Sequence, residues 1–220
     1  MTIDELNKEL LACRRCPRLV EWRERVAREK RRAYQDWDYW GKPVPGFGDP
    51  HARVFVVGLA PGAHGSNRTG RQFTGDSSGD FLYPALFRAG FASQPTSTFR
   101  DDGLILTNLY TAPICRCAPP GNKPTPQEKA NCQPYLRIEL NIIQPKVIVA
   151  LGRIAFDGIL PLVAPNGYHV SFAHNTSHRL PSGCWLVCSY HPSRQNTQTG
   201  RLNNKMFDQV WNTARGLIEN

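Results

Sequence analysis

The segment from Gly58 to Asp76, here called the glycine loop, combines small, polar and aromatic residues as a ligand-binding loop does. It reads GLAPGAHGSNRTGRQFTGD and follows the apolar run VFVV, which predicts a buried strand. Glycine, proline and asparagine end a strand and let the backbone approach a ligand closely. Phe73 is its aromatic residue and Asp76 its carboxylate. We therefore expect a flat ring to stack on Phe73 while chemistry takes place beside it.

A second polar segment, here called the histidine loop, spans residues 189–201 and follows a predicted strand. It reads SYHPSRQNTQTGR, with His191 directly at the strand's carboxyl end. An imidazole at that place could donate a hydrogen bond to an oxyanion that develops on a leaving group. Arg194, Gln195 and Asn196 could contact phosphates or fill a gap in a base stack. The alternative for these three residues is a solvated turn.

Five of the seven cysteines are spaced as possible ligands. Cys13 and Cys16 form a CxxC pair, whereas Cys115, Cys117 and Cys132 flank the segment APPGNKP. Two pairs of thiolates can enclose a tetrahedral metal or an iron–sulfur cluster. The spacing leaves open whether the group is zinc or [4Fe-4S], and whether Cys115 or Cys117 is the third ligand. Cys184 and Cys188 are expected to pack as small apolar residues.

Composition favours a nucleic-acid partner. The 220 residues suit one domain, residues 1–220, and 27 Lys plus Arg against 18 Asp plus Glu give a formal charge of +9. Much of the charge lies in Arg23, Arg25, Arg28, Lys30, Arg31 and Arg32, although a merely solubilising surface is the alternative. The sequence contains no run of about 18 apolar residues and no export-type leader. We therefore expect a cytoplasmic protein without membrane contact or disulfides. Nothing in the sequence indicates an oligomer, and a monomer is expected.

Alternating strand and helix patterns predict the architecture that must position these residues. Strands are predicted at 54–57, 104–109, 147–151 and 185–188, and helices at 4–12, 19–32, 80–89, 125–143, 154–160 and 203–218. This order predicts a three-layer α/β/α sandwich with a mainly parallel, four-stranded central sheet. In such folds ligands bind outside the carboxyl ends of the strands, where both polar loops begin. Asn108 is expected to be structural.

Taken together, these segments resemble the uracil-DNA glycosylase superfamily, and within it the iron–sulfur branch, family 5 (type B). The resemblance extends from CRRCPRLV near the N-terminus to the histidine loop. It is carried also by GFGDP at residues 46–50, by the glycine loop and by CAPPGNKP at residues 117–124. Long, irregular matches of this kind are specific, unlike a short glycine pattern.

The resemblance implies an activity and roles for particular residues. It implies removal of uracil, and of hypoxanthine, xanthine or etheno-cytosine as well, by hydrolysis of the N-glycosidic bond in DNA, which leaves an abasic site and begins base excision repair. Phe73 would stack on the flipped base and the backbone of Gly58, Ala60 and Gly62 would surround its edge. His191 would stabilise charge on the departing base, Asp76 would orient or polarise the water, and Asn122 would hold the water or the base. The implied cofactor is a [4Fe-4S] cluster on Cys13, Cys16, Cys117 and Cys132, with Cys115 a bystander.

One departure from the wider superfamily bears on the mechanism. Other branches carry a polar or acidic activator of water directly after the GxxPG segment, where this sequence has Ala63, His64 and Gly65. The chemistry would therefore rest on Asp76, at the far end of the glycine loop. Two rival functions stay open. One is a non-catalytic nucleic-acid-binding module stapled by zinc or a cluster, and the other is a glycosylase with little activity on uracil.

Overall fold

Six strands build the sheet of the computed structural model, which describes residues 1–219. In chain order they are β1 (Phe47–Gly48), β2 (Val54–Gly58), β3 (Leu109–Pro113), β4 (Val147–Leu151), β5 (Ser177–Arg179) and β6 (Trp185–Ser189). The sheet order is β1-β3-β2-β4-β6-β5. The four inner strands run parallel, and the short edge strands β1 and β5 run antiparallel to their neighbours.

The mainly parallel sheet is confirmed, but two details of the strand prediction are wrong. The sheet has six strands rather than four, because the two- and three-residue edge strands carry no recognisable alternation of their own. The strand predicted at 104–109 lies instead at Leu109–Pro113. Asn108 adopts a left-handed conformation, with φ of 58°, which turns the chain into β3. Its side-chain oxygen accepts a hydrogen bond from the backbone N–H of Arg53 at 2.8 Å, so Asn108 has the expected structural role.

Helices cover both faces of the sheet. Within the described residues they are α1 (Ile3–Leu11), α2 (Pro17–Glu29), α3 (Ser66–Thr69), α4 (Ser77–Arg88), α5 (Pro126–Ile143), α6 (Arg153–Val163), α7 (Arg194–Gln198) and α8 (Asn204–Glu219). Side chains alternate along β2. Val54 and Val56 pack with α4 and α8, whereas Phe55 and Val57 pack with α5 and α6. Apolar burial on both faces produces the predicted three layers.

Capping residues account for several helix boundaries. Thr2 and Glu5 form a capping box at the start of α1, and Thr125 and Glu128 form another at the start of α5. Pro17 begins α2, two residues before the predicted start, because proline fits the first helical turn. Asp76 caps α4, so that helix begins earlier than predicted.

The parallel strands bring three chain segments to one edge of the sheet. Since β2, β4 and β6 point the same way, their carboxyl ends at Gly58, Leu151 and Ser189 are neighbours. The glycine loop leaves β2 and the histidine loop leaves β6. The segment after β3 leads to the 3-10 turn Pro120–Asn122. This edge therefore collects most of the residues singled out from the sequence.

Candidate active site

A cavity of about 620 Å³ opens at the carboxyl edge of the sheet. Its lining contains Ala60, Gly62, Phe73, Asp76, Asn122, His191, Arg194 and Gln195, which the sequence places in three separate segments. Gly58 and Asn196 do not line the cavity, and Gly58 lies instead against the Phe73 ring. The fold thus brings together all three residues expected to be catalytic and the ring expected to stack on a base.

Phe73 is held in a conformation that an aromatic residue rarely adopts. Its φ is 53°, and its side chain is only 6% exposed. A Cβ atom on Gly58 would lie 2.8 Å from Phe73 Cζ, and one on Gly79 would collide with the Phe73 carbonyl oxygen. Both glycines are therefore needed for the ring to occupy this position. Its centroid lies 6.3 Å from that of His191, with 43° between the planes.

The two carboxylate oxygens of Asp76 have different surroundings. Oδ1 accepts hydrogen bonds from the backbone N–H groups of Ser78 at 3.0 Å and Gly79 at 3.1 Å, which caps α4. Oδ2 has no hydrogen-bond partner among residues 1–219, and a Cβ on Gly62 would come within 3.3 Å of it. Burial raises the pKa of Asp76, while the two backbone hydrogen bonds oppose that rise. Oδ2 is thus available to accept a hydrogen bond from water.

His191 is placed as a neutral hydrogen-bonding group. Burial lowers the pKa of its imidazole to about 4, so the ring is uncharged at neutral pH. Neither ring nitrogen has a hydrogen-bond partner within the described part of the chain. A neutral imidazole keeps one N–H donor. The carbonyl oxygen of His191 accepts a hydrogen bond from Asn196 Nδ2 at 2.9 Å, which holds the residue in the histidine loop.

The remaining predicted residues lie near the cavity mouth. Asn122 is exposed, with a φ of 57° that ends the turn Pro120–Asn122. Arg194 and Gln195 are exposed in the first turn of α7, where they could reach a phosphate backbone. Asn196 is placed differently from them, because its amide is bonded inward to His191. It supports the loop rather than presenting a free amide to a ligand.

Sequence reasoning missed several residues of the cavity wall. Gln72 and Ser66 are buried there, and the carboxyl end of β4 contributes Leu151, Gly152 and Arg153. The rule that ligands bind at the ends of parallel strands could have identified the β4 contribution. Gln72 stands next to Phe73 in the sequence, but only the fold shows that its amide reaches the cavity.

Buried arginines fasten the glycine loop. Arg71 donates from Nη1 to the carbonyl oxygen of Arg100 at 2.8 Å and from Nη2 to Asp102 Oδ2 at 2.7 Å, and both members of this ion pair are nearly inaccessible. The Arg68 guanidinium lies over the rings of Tyr34 and Trp37, 4.0 Å from each centroid. The aromatic residues that precede the glycine loop therefore cover it, and the loop is rigid on both sides of Phe73.

Four cysteines face a second, small cavity between the N-terminal helices and α5. Its lining includes Cys13, Cys16, Cys117 and Cys132 but not Cys115, whose side chain is buried elsewhere in the same cluster. Nitrogen donors surround the sulfurs: Arg23 Nη1 lies 2.9 Å from Cys117 Sγ, and Asn131 Nδ2 lies 3.3 Å from Cys16 Sγ. Hydrogen bonds of this kind stabilise thiolate ligands.

The donor set can be tested against the two candidate groups. Across residues 1–219, no three His, Cys, Asp or Glu side chains are close enough to hold a single metal ion. A zinc ion needs all its thiolates at about 2.3 Å from one point, whereas a [4Fe-4S] cluster distributes them over four iron atoms. The four thiols that line this cavity are the donor set that a [4Fe-4S] cluster requires.

The basic segment of α2 is less uniform than the sequence indicated. Arg23 is 2% exposed and donates to Cys117, so it does not belong to a phosphate-binding surface. Arg25 packs against the Trp22 ring, 4.9 Å from its centroid. Separately, no helix in the described residues is long and apolar enough to cross a membrane.

Comparison with known proteins gives a consistent result. The model of the uracil DNA glycosylase superfamily matches residues 45–215. A type-5 uracil-DNA glycosylase of Thermus thermophilus is 53% identical over 209 residues, covering 94% of each chain. One of Mycobacterium tuberculosis is 49% identical and covers 98% of this chain and 82% of that protein. One of Pyrobaculum aerophilum is 44% identical, with coverages of 96% and 91%.

Proposed function

Since the chain belongs to the type-5 group of the uracil DNA glycosylase superfamily, we propose that it removes uracil from DNA by hydrolysing the N-glycosidic bond. The product is an abasic site, with which base excision repair begins. The observation that carries this proposal is the convergence of Phe73, Asp76 and His191 on one cavity. A non-catalytic nucleic-acid-binding module does not require a stacking ring, a partly unpaired carboxylate and a neutral imidazole at the same place. A glycosylase with little activity on uracil would use the same groups, so only its substrates distinguish it.

The site residues divide the reaction between them. Uracil leaves the duplex at a cost of a few kcal/mol and stacks on Phe73, with the backbone of Gly58, Ala60 and Gly62 around its edge. As the C1′–N1 bond breaks, its electrons pass to the base, and the neutral His191 donates a hydrogen bond to the oxygen on which charge collects. Asp76 Oδ2 orients a water that attacks C1′, with Asn122 holding it from the cavity mouth. The proton of that water passes to Asp76 or to solvent.

An oligonucleotide panel tests the activity. Strands carrying uracil, hypoxanthine, xanthine or etheno-cytosine are incubated with the protein, single-stranded and paired, and then cleaved with alkali. We expect alkali-labile breaks at uracil. We also expect them at the other lesions, because no acid directly after the GxxPG segment limits which bases the cavity accepts. Binding without any break would favour the non-catalytic module. Breaks only at the other lesions would favour the second rival.

A pair of histidine variants assigns the activity to the cavity. His191→Ala is expected to lower the rate of uracil release about 10²–10³-fold, as removal of an oxyanion donor does in other enzymes. His178→Ala, on the edge strand β5, serves as the control and should leave the rate unchanged. Equal rates for the two variants would remove His191 from the mechanism.

We further propose that Cys13, Cys16, Cys117 and Cys132 hold a [4Fe-4S] cluster. The lining of their cavity and the nitrogen donors around it support this choice of ligands over Cys115. When bound, the cluster would join the segment between α1 and α2 to α5, and its role would be structural. Burial raises the pKa of the Cys117 thiol to about 12, so cluster binding must displace a proton there.

Cysteine variants test the ligand set. The purified protein should contain about four iron atoms per chain and the same amount of labile sulfide. Cys117→Ser should lose iron and the brown colour, whereas Cys115→Ser and Cys184→Ser should keep both. Zinc in place of iron, or loss of iron in Cys115→Ser with retention in Cys117→Ser, would overturn the assignment.

We also propose that the protein acts on DNA as a monomer in the cytoplasm. The net charge of +9 supports a polyanionic partner, and the exposed Arg194 at the cavity rim supports contact with its backbone. Light scattering during size-exclusion chromatography would test the monomer. A mass near twice 24.7 kDa would contradict it.

A further inference from the structure

The side chain of Gln72 has one end fixed and the other unpaired. Its Oε1 accepts a hydrogen bond from the hydroxyl of Thr111 at 2.7 Å. Its Nε2 has no hydrogen-bond partner anywhere in residues 1–219, although the residue is only 2% exposed. Gln72 nevertheless lines the same cavity as Phe73 and His191. The amide nitrogen is accessible from the cavity, so it is placed to meet something that the cavity receives.

The backbone around Gln72 holds that amide in place. The carbonyl oxygen of Gln72 accepts a hydrogen bond from Tyr83 at 2.9 Å, and Thr111 is itself buried on the inner strand β3. Gly58 leaves the necessary space, because a Cβ there would lie 2.6 Å from Gln72 Nε2. The amide nitrogen and the Phe73 ring thus both lie against Gly58. The position of the amide is set before any ligand arrives.

We infer that Gln72 is a specificity-determining residue that donates a hydrogen bond to a ring carbonyl of the extruded base. This inference rests on the proposed glycosylase function. With Oε1 engaged by Thr111, only the N–H groups of the amide face the cavity. They can donate a hydrogen bond to a ring carbonyl but not to an exocyclic amino group, which is itself a donor. Deamination converts an amino group of cytosine, adenine or guanine into a carbonyl. Gln72 would therefore favour deaminated bases as a class over their undamaged precursors.

Two substitutions at Gln72 separate recognition from a structural role. Gln72→Glu keeps the volume and an oxygen for the Thr111 hydroxyl but presents an acceptor to the base. We expect it to slow single-turnover uracil release about 10²–10³-fold or more, because it replaces a donor by a repelling oxygen. Gln72→Met, which presents neither, should lose about 10–10²-fold. A merely structural Gln72 would give the opposite order, with Glu closer to the wild type.

Base analogues test the contact without altering the protein. Oligonucleotides carry 2-thiouracil or 4-thiouracil, whose sulfur is a weaker acceptor than the oxygen it replaces. The wild type should release one of the two thio bases more slowly than the other. Gln72→Met should release both at similar rates, because any effect of sulfur that does not depend on Gln72 remains in the variant. If the wild type discriminates against neither, the inference is overturned even where a variant fails to fold.

Controls distinguish the possible failures. Gln209→Glu and Gln209→Met, on the exposed face of α8, should leave the rate unchanged. Thr111→Val should slow uracil release because the amide is no longer oriented, and Thr111→Ser, which keeps the hydroxyl, should restore it. Wild-type rates in Gln72→Glu would overturn the inference while leaving the proposed function intact. A wild type that releases no uracil would overturn the proposed function, and the inference with it.

Discussion

Seven polar or charged side chains of the glycine loop are buried, whereas most residues from 194 to 201 of the histidine loop are exposed. The glycine loop is fastened to distant parts of the chain through Arg68, Arg71 and Gln72. The histidine loop is held mainly by its own hydrogen bonds, from the cap at Ser193 to the inward bond of Asn196. Both loops supply residues to one cavity.

This difference indicates a division of tasks. Groups that stabilise a transition state act best when their positions are fixed beforehand, and the glycine loop supplies Phe73 and Asp76 from such a framework. A surface that follows a phosphate backbone needs exposed cations, which the histidine loop supplies through Arg194. His191 lies at the root of its loop, next to β6, where it shares the rigidity of the sheet. Substitutions in the two loops should therefore separate stability, catalysis and DNA binding along this division.

The largest effect on stability is expected at Arg71. Arg71→Met leaves Asp102 buried without its partner, and breaking a buried ion pair on one side costs about 3–5 kcal/mol of unfolding free energy. Urea unfolding measures it. Arg194→Met in the histidine loop is the matched control and should change stability by less than about 0.5 kcal/mol. Adding Asp102→Asn to Arg71→Met should recover part of the loss. Similar stabilities for the Arg71 and Arg194 variants would remove the contrast between the loops.

Two substitutions of Asp76 should separate its role in catalysis from its role as a helix cap. Asp76→Asn keeps an oxygen for the N–H groups of Ser78 and Gly79 but removes the charge, so stability should change by less than about 0.5 kcal/mol while uracil release slows about 10²–10³-fold. Asp76→Ala should be as slow and lose about 1 kcal/mol of stability as well. Single-turnover kinetics and urea unfolding give the two quantities. A fully active Asp76→Asn would leave Asp76 only as a cap.

The sequence predicted the elements that rest on local chemistry. The continuous apolar runs before Gly58 and Gly152 identify β2 and β4, and Thr125 with Glu128 identifies the start of α5, because each signal lies within a few residues. The run at 104–109 failed because the conformation of Asn108 is decided by contacts with Arg53 and Asp49, more than 50 residues away. Periodicity carries no information on such contacts.

The residues of the site could be predicted from the sequence, but the contacts that their side chains make could not. Phe73, Asp76 and His191 stand out by residue type in polar loops, and the sheet brings them to one edge. The inward bond of Asn196, the burial of Arg23 and the free amide of Gln72 depend on which neighbour each side chain meets. Those neighbours lie on other elements, so a single sequence cannot specify them.

A pH dependence of stability is expected from His191. The pKa of its imidazole is about 4 in the folded protein and about 6.5 when unfolded, so the unfolded chain binds the extra proton first as pH falls. The free energy of unfolding is therefore highest above pH 6.5, and it falls between about pH 6.5 and 4 by at most about 3 kcal/mol because of this residue. Urea unfolding at several pH values should show that the unfolding free energy of His191→Phe changes less with pH than that of the wild type. The same pH dependence in both would contradict the burial of a neutral imidazole.

The smallest effect, and the one confined to binding, is expected at Arg194. Because its guanidinium is exposed and has no structural partner among the described residues, Arg194→Ala should leave folding and the rate in the saturated complex unchanged. It should weaken DNA binding several-fold and reduce the slope of log affinity against log salt by about 1, the value of one lost phosphate contact. Fluorescence anisotropy over a salt series measures both.

Arg179→Ala, at the opposite end of the sheet, is the matched control, since it removes the same charge far from the cavity. An equal change in salt slope for the two variants would mean that the histidine loop contributes only general charge. A reduced rate at saturation for Arg194→Ala would mean that this loop, like the glycine loop, positions the reacting groups.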